Sequence, residues 1–262
     1  MTIVFPGPTR YLAWLQAAEH LLEHSPDLNL ILNIDTPLTN GTIDPRLRSE
    51  VDAFLLDEGQ QPLHTIAETI FPGWAYRTRG IEGVFQTYPK EYAAFKSRNH
   101  LAWGTYAHRL VHRRSQSGEI LNPLRILIRN MKTEIQHERG GTFKSRYELG
   151  VSDSDYDIAL YSTIDDQGRR RQLPCLSHLS FKLHGGRVHL TAIIRSHEYR
   201  YKALGNLLGL ARLQACVARE VGLKAGALVI HSTFAFLDRG RGKRRFKELL
   251  DRLRTDRQLS PS

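Results

Sequence analysis

The pattern of this chain predicts an α+β fold, a sheet with helices packed on it. Three observations carry that reading. Segments of helical period alternate with short period-two runs along the chain. The stretch Leu173 to Asp238 reads as a strand, a tight turn at Gly185-Gly186, a second strand ending at Arg195-Ser196, a long apolar helix and a further strand. No internal repeat and no shift of composition marks a boundary, so residues 1–238 read as one domain, with a basic tail at 239–262.

From the N-terminus, Arg10 to His24 places Leu12, Leu15, Ala18, Leu21 and Leu22 on one helical face. Leu28 to Asp35 alternates as a strand, and Thr36 to Arg48 is rich in turn residues, with Asn40-Gly41 and Pro45. A helix over Leu63 to Phe71 stops at Pro72. Gly73 to Tyr88 has no usable period, and Glu91 to Asn99 is a weak helix. A basic patch follows Trp103-Gly104-Thr105-Tyr106, then a helix from Asn122 to Gln136 that Gly140-Gly141 closes. Tyr147 to Ser152 and Tyr156 to Thr163 read as strands before a polar turn, Asp165 to Arg171. The tail RGRGKRRFKELLDRLR reads as a solvated amphipathic helix.

With 262 residues the chain can bury a substantial core. Two cysteines make no disulfide framework, which points to a reducing cytosol. No apolar run reaches transmembrane length and no secretory leader is legible, so a cytoplasmic protein without membrane contact is expected. The net charge is +10, and between Arg239 and Arg257 nine Lys or Arg face three acids. More than half of the excess therefore lies at the C-terminus. That is not the footprint of a basic groove through the fold, and nucleic-acid contact by the tail is the minor alternative.

Cys175 opens a strand, Arg195 ends the partner strand and Asn206 lies at the start of a helix eleven residues later. These three can converge on one pocket, as a thiolate nucleophile acting on a planar amide requires. Arg195 is the cation that would lower the thiol pKa, and its guanidinium fork also matches phosphate; its plain alternative is an ion pair with Glu198. Ser196 adds a hydroxyl donor. Asn206 is either a helix cap or a reader of the carbonyl and N–H edge of a planar amide. Cys216, inside an apolar helix, fills core. His108 and His112 have the spacing of a helical metal pair without a third ligand, and Asp153, Asp155 and Asp157 lack the Gly and Glu of a calcium loop, so no metal is expected.

Pro174-Cys175, Phe181, Arg195-Ser196, Asn206 and Gly222-Leu223-Lys224-Ala225-Gly226 stand, without a gap, in register with the motifs of the thymidylate synthase and pyrimidine hydroxymethylase superfamily. Over roughly Glu68 to Asp238 the chain resembles a divergent member. The resemblance implies a thymidylate synthase-like domain, a mixed sheet with packed helices, and a homodimer formed by packing two sheets together. It implies folate-dependent transfer of a methyl or hydroxymethyl group to carbon five of a uracil nucleotide, with Cys175 adding to carbon six and 5,10-methylenetetrahydrofolate as cofactor.

By the same resemblance Glu68 relays protons to the base carbonyl and Tyr106 assists proton removal at carbon five. Arg146 reaches the neighbouring subunit's phosphate site, and Glu198 takes the place of the Asp that contacts the folate ring. The departures are specific. Leu176 replaces the His after Pro-Cys, Ser180 replaces a Gln, and Phe236 and Asp238 replace the His and Tyr that grip the sugar. Non-catalytic nucleotide binding on the same fold, or the same chemistry on a modified nucleotide, are the alternatives. Asp238, an acceptor only, favours ribose over deoxyribose; an ion pair with Arg239 or Arg241 is its plain reading.

Overall fold

Pairing order, not chain order, sets the layout of the sheet. The computed structural model describes residues 2–38, 45–99, 104–115, 117–136, 146–151, 174–238 and 242–259. Along the first part run β1 (Ile3–Gly7), α1 (Arg10–His24), β2 (Asp27–Ile34), α2 (Pro45–Asp57), α3 (Leu63–Glu68) and α4 (Gly73–Glu82). A π-helical turn (Gly83–Thr87) leads into α5 (Tyr88–Asn99) and α6 (Tyr106–Val111). Two short strands, β3 (Arg113–Arg114) and β4 (Ile120–Leu121), pair with each other before α7 (Pro123–Gln136) and β5 (Tyr147–Gly150). The last part holds β6 (Leu176–His184), β7 (Arg187–Ile194), β8 (His197–Glu198), α8 (Ala203–Glu220), β9 (Lys224–Phe236) and α9 (Lys243–Leu259).

Among the described residues the main sheet has seven strands in the order β1-β2-β9-β7-β6-β5, with β8 pairing to β9. It is mixed: β1–β2 and β7–β9 are parallel, while β2–β9, β6–β7 and β5–β6 are antiparallel. The expected α+β architecture, a mixed sheet with packed helices, is the one observed. β6 and β7 meet at Gly185 and Gly186, whose φ of 56° and 68° are those of a two-residue hairpin turn that a side chain would strain.

α1 occupies the expected residues, with the Thr9 hydroxyl accepting from the Leu12 N–H at 3.3 Å as an N-cap. α8 is the central helix, burying twelve of its eighteen residues. Gly205 and Gly209, one turn apart, let α3 approach: a Cβ at Gly205 would lie 2.6 Å from Ile66, and one at Gly209 would lie 2.8 Å from the Ala67 carbonyl oxygen. The buried Gln214 of α8 ties helix to sheet, its amide nitrogen donating to the carbonyls of Val188, Gly226 and Ala227.

Several elements differ from expectation. β1 and α2 fall where no element was expected, and Pro45 opens α2 as an N1 residue instead of making a turn. α3 ends at Glu68, short of Phe71. The segment 73–88 is helical, but Arg79 (φ −135°, ψ 16°) and Gly80 (φ 59°, ψ −153°) break it, which removes its period. α9 is amphipathic as read, yet its apolar face is not solvated: Phe246, Leu249, Leu250 and Leu253 are buried in the same core as Trp14, whose ring lies 6.2 Å from that of Phe246. The strand expected over 156–163, the turns at 140–141 and 165–171, the acids at 153, 155 and 157, and Trp103 lie outside the described residues. No helix among the described residues is long and apolar enough to cross a membrane.

Candidate active site

The β6–β7 pairing brings Cys175 and Arg195 together. Leu176 pairs with Ile194, and the ladder runs one step further: the Arg195 N–H donates to the Cys175 carbonyl at 2.9 Å. The Arg195 side chain turns back, its Nε donating to the Pro174 carbonyl at 3.0 Å. That bond pins the guanidinium beside the cysteine. A shift of register between Leu176 and His178 bends β6 where Cys175 enters it.

Tyr106, at the start of α6, closes the third side. Its hydroxyl oxygen accepts from the Cys175 N–H at 2.8 Å and from the Leu176 N–H at 3.3 Å. With both acceptor directions occupied, any further bond of the hydroxyl is through its own proton. Burial and the neighbouring Cys175 raise its pKa to about 12. Cys175 is half-buried; burial pushes its thiol up, and Arg195 pulls it down. The resting form is therefore the thiol, held where an added cation or a desolvated substrate changes its balance. Cys216 is 1% exposed, and burial drives its thiol further up, so it is inert packing.

Asn206 lies within the first turn of α8 and is not its cap, since Lys202 holds that position. Its amide Nδ2 is 3.3 Å from Nε2 of His197, a residue 1% exposed that sequence reasoning did not single out. An amide N–H can only donate, so Nε2 accepts and the imidazole proton sits on Nδ1, 2.8 Å from the Ser232 Oγ. Ser232 in turn lies 3.1 Å from the Tyr199 hydroxyl. Burial lowers the His197 pKa to about 3, so it is neutral at physiological pH. This buried chain fixes Asn206 and leaves its carbonyl oxygen and one N–H for another partner. The signal in the sequence is His197 itself, a histidine on the inward-facing side of a strand directly after Arg195-Ser196.

Ser196 follows Arg195 and is half-buried. Glu198 is not paired with Arg195. Its Oε1 accepts the N–H groups of Arg200 at 2.9 Å and Asp238 at 3.2 Å, and its Oε2 accepts that of Tyr201 at 2.6 Å. Burial raises its pKa against those bonds. The carboxylate thus fastens the loop before α8 to the end of β9. Asp238 is exposed, and its carboxylate has no hydrogen-bond partner among the described residues. Asp238 and Phe236 line one cleft of about 370 Å³ with Ser25, Pro26, Arg200 and Lys243.

Two further expected residues have ion-pair partners of their own. Glu68, at the end of α3, faces Arg212 of α8 at 3.3 Å and accepts the Trp74 N–H at 3.3 Å. Arg146 is exposed and ion-paired with Glu134 of α7. His108 stacks between Tyr92 and His112, with ring centroids at 4.2 and 4.8 Å. No group of three or more His, Cys, Asp or Glu that could hold a metal gathers among the described residues.

No protein-family model matches the chain. Over 66 residues, 25% of the chain, it is 39% identical to a protein of Methanothermobacter thermautotrophicus and 36% identical to one of Methanosarcina barkeri. Both bear the name "Putative thymidylate synthase", as does a Methanococcoides burtonii protein 36% identical over 66 residues. The matched segment spans 30% of the length of these relatives. The likenesses support a thymidylate synthase-like relationship for that quarter of the chain.

Two outcomes follow from the geometry. Alkylation of native protein by iodoacetamide modifies Cys175 and spares Cys216, at a rate that keeps climbing with pH beyond about 9. Arg195→Met moves that profile to still higher pH; an unchanged profile would show that Arg195 does not act on the thiol. For His197 the folded-state pKa lies below the unfolded value of about 6.5, so its contribution to stability is full above pH 6.5 and is lost as pH falls toward about 3. The unfolding free energy therefore acquires a slope approaching 1.4 kcal/mol per pH unit, roughly, in that window. The difference curve between wild type and His197→Gln isolates it, and a flat difference is the contrary result.

Proposed function

We propose that the chain is a thymidylate synthase-like transferase, which adds a methyl or hydroxymethyl group to carbon five of a uracil nucleotide through a cysteine adduct. The observation that carries this reading is the placement of Cys175 against Arg195 and Tyr106, in a chain similar over part of its length to proteins named as thymidylate synthases. Two free thiols suit a reducing cytoplasm.

Cys175 Sγ gives up its proton and bonds to carbon six of the base. The C5–C6 electron pair moves onto C5 and the C4 carbonyl oxygen, and C5 becomes the nucleophile. Arg195 stabilises the thiolate, and its terminal nitrogens, with the Ser196 hydroxyl, take a phosphate oxygen. Asn206, held by neutral His197, reads the base edge. Tyr106 positions the Cys175 backbone and donates at its Oη. Glu68 relays a proton toward the base carbonyl through water. With C5 substituted and its proton lost, water would complete a hydroxymethyl product, whereas a methyl product would require a hydride from the bound folate; the C5–C6 double bond re-forms as the Sγ–C6 bond breaks.

The donor set also fits a folate. Glu198 is half-buried, and its Oε2 accepts only one N–H, which leaves an acceptor direction for a ring N–H. Glu198 would therefore hold 5,10-methylenetetrahydrofolate, which supplies the one-carbon unit when bound. At the sugar, the carboxylate of Asp238 accepts from a pair of hydroxyls better than from one, favouring ribose or a modified sugar.

The test is to incubate the protein with methylenetetrahydrofolate and a fluorinated uracil nucleotide in ribo and deoxyribo forms. Mass spectrometry is expected to show an adduct on Cys175, absent in Cys175→Ser and greater for the ribo form. Full turnover by Cys175→Ser would remove the nucleophile assignment. A deoxy preference unaffected by Asp238→Ala would remove the sugar assignment.

The dimer is part of the same proposal. Leu28 of β2 and Phe234 of β9 pair across the sheet and are 57% and 38% exposed; Val4 of β1 is 53% exposed. Packing such side chains against a second copy would bury them and bring Arg146 to a neighbour's phosphate. Sedimentation at micromolar concentration should give a dimer, and a monomer would exclude both.

A further inference from the structure

Burying an arginine without a partner is costly, because the guanidinium cannot shed its charge and loses its hydration. Arg10, the first residue of α1, is such a residue. It is 7% exposed, and among the described residues it makes no hydrogen bond and no ion pair. Burial, and then the charge of Arg212, lower its pKa to about 10. Arg212, on α8, is in turn repelled by Arg77 of α4 and Arg48 of α2. Arg77 and Arg212 converge on Gly73: a Cβ there would lie 3.1 Å from Arg77 Nη1, 3.1 Å from Glu68 Oε1 and 3.6 Å from Arg212 Cδ.

Arg77 and Arg212 thus flank one carboxylate, Glu68, which Arg212 already holds at 3.3 Å, and Arg10 lies close enough to Arg212 to feel its charge. Arg48 has its own acid, Asp52, at 3.4 Å. Arg10 and Arg77 have none among the described residues. Exposure falls from Arg77 and Arg48, both exposed, through half-buried Arg212 to buried Arg10. The N-terminus of α1, with no acidic residue in its first turn, adds its positive end at Arg10.

We propose that Arg10, Arg77 and Arg212 form a binding site for an oxyanion, the phosphate or carboxylate group of a small-molecule ligand. Guanidinium forks match both groups in geometry, and an oxyanion supplies the counter-charge that buried Arg10 lacks. The site is separate from the cleft at Asp238. α1 spans about 20 Å between Arg10 and Ser25 of that cleft. The site's α8 residue, Arg212, is six residues, about 9 Å, along the helix from Asn206.

Thermal unfolding of the full chain in chloride, inorganic phosphate or citrate at matched ionic strength tests this. Phosphate or citrate is expected to raise Tm by roughly 5–10 °C at a hundredfold excess over Kd, with the more effective anion identifying the group. Arg10→Met removes that rise and, in chloride, is at least as stable as wild type, since it removes a buried unpaired charge. Arg77→Gln, at an exposed position, weakens phosphate binding about tenfold, and Arg195→Met leaves the rise intact. The proposal fails if neither anion exceeds chloride, or if Arg10→Met loses stability equally in all three salts. It also fails if Arg77→Gln binds phosphate unchanged. A rise lost in Arg195→Met but kept in Arg10→Met would place the anion at the nucleotide site and leave only that assignment standing.

Discussion

The bond from the Arg195 N–H to the Cys175 carbonyl is one rung beyond the regular ladder of β6 and β7, and the candidate site depends on it. The turn at Gly185 and Gly186 sets the register from His184 to His178, and the one-residue shift between His178 and Leu176 then brings Cys175 opposite Arg195 where the turn's register alone would bring Ser196. Cys175 and Arg195 are thus twenty residues apart in sequence and adjacent in space. Tyr106 then reads the same rung from the other side, through the N–H groups of Cys175 and Leu176. A slip of one residue would turn the cysteine to the opposite face of the sheet.

Behind this rung the chemistry is braced by burial. His197, Ser232 and Tyr199 form a polar chain in the core, and such a chain is stabilising only when its members are satisfied together. Neutral His197 suits that task, because a charged imidazolium there would have no counter-ion among its partners. The chain ends at Asn206, whose amide is thus oriented by a residue buried behind it. Glu198 does similar work for the backbone, gathering three N–H groups where β8, the loop before α8 and the end of β9 meet.

How much of this was legible follows from the kind of signal involved. α1 has a regular apolar stripe and a Thr cap, and the hairpin has its two glycines, so both can be read from periodicity and turn chemistry. α2 buries only Val51, Phe54 and Leu55, and the rest of its surface is polar, so no stripe stands out. The helical stretch after Gly73 loses its period at Gly80. The facing of Cys175 and Arg195 is legible because the hairpin places them, and the position of Asn206 in the first turn of α8 because the helix start is marked. The partners of Glu68 and Arg146 are not legible. Arg212 lies 144 residues beyond Glu68, and no local pattern encodes which acid meets which arginine.

The distribution of positive charge shows the same limit. Read along the sequence, the excess gathers at the C-terminus and suggests an exposed basic arm. In three dimensions α9 lies on the core through Phe246, Leu249, Leu250 and Leu253. Arg245 and Arg252 on its outer side reach back to Glu58 and Glu50. Such exposed pairs contribute little stability each, about 0–1 kcal/mol. They nevertheless direct part of the helix's charge inward, onto acids of α2 and its following loop. A second group of positive charges comes from arginines scattered through the sequence, exposed Arg77, half-buried Arg212 and buried Arg10, which only folding brings together. Sequence clustering and spatial clustering of charge are different quantities. In this chain it is the spatial one, buried and undercompensated, that has the character of a binding site.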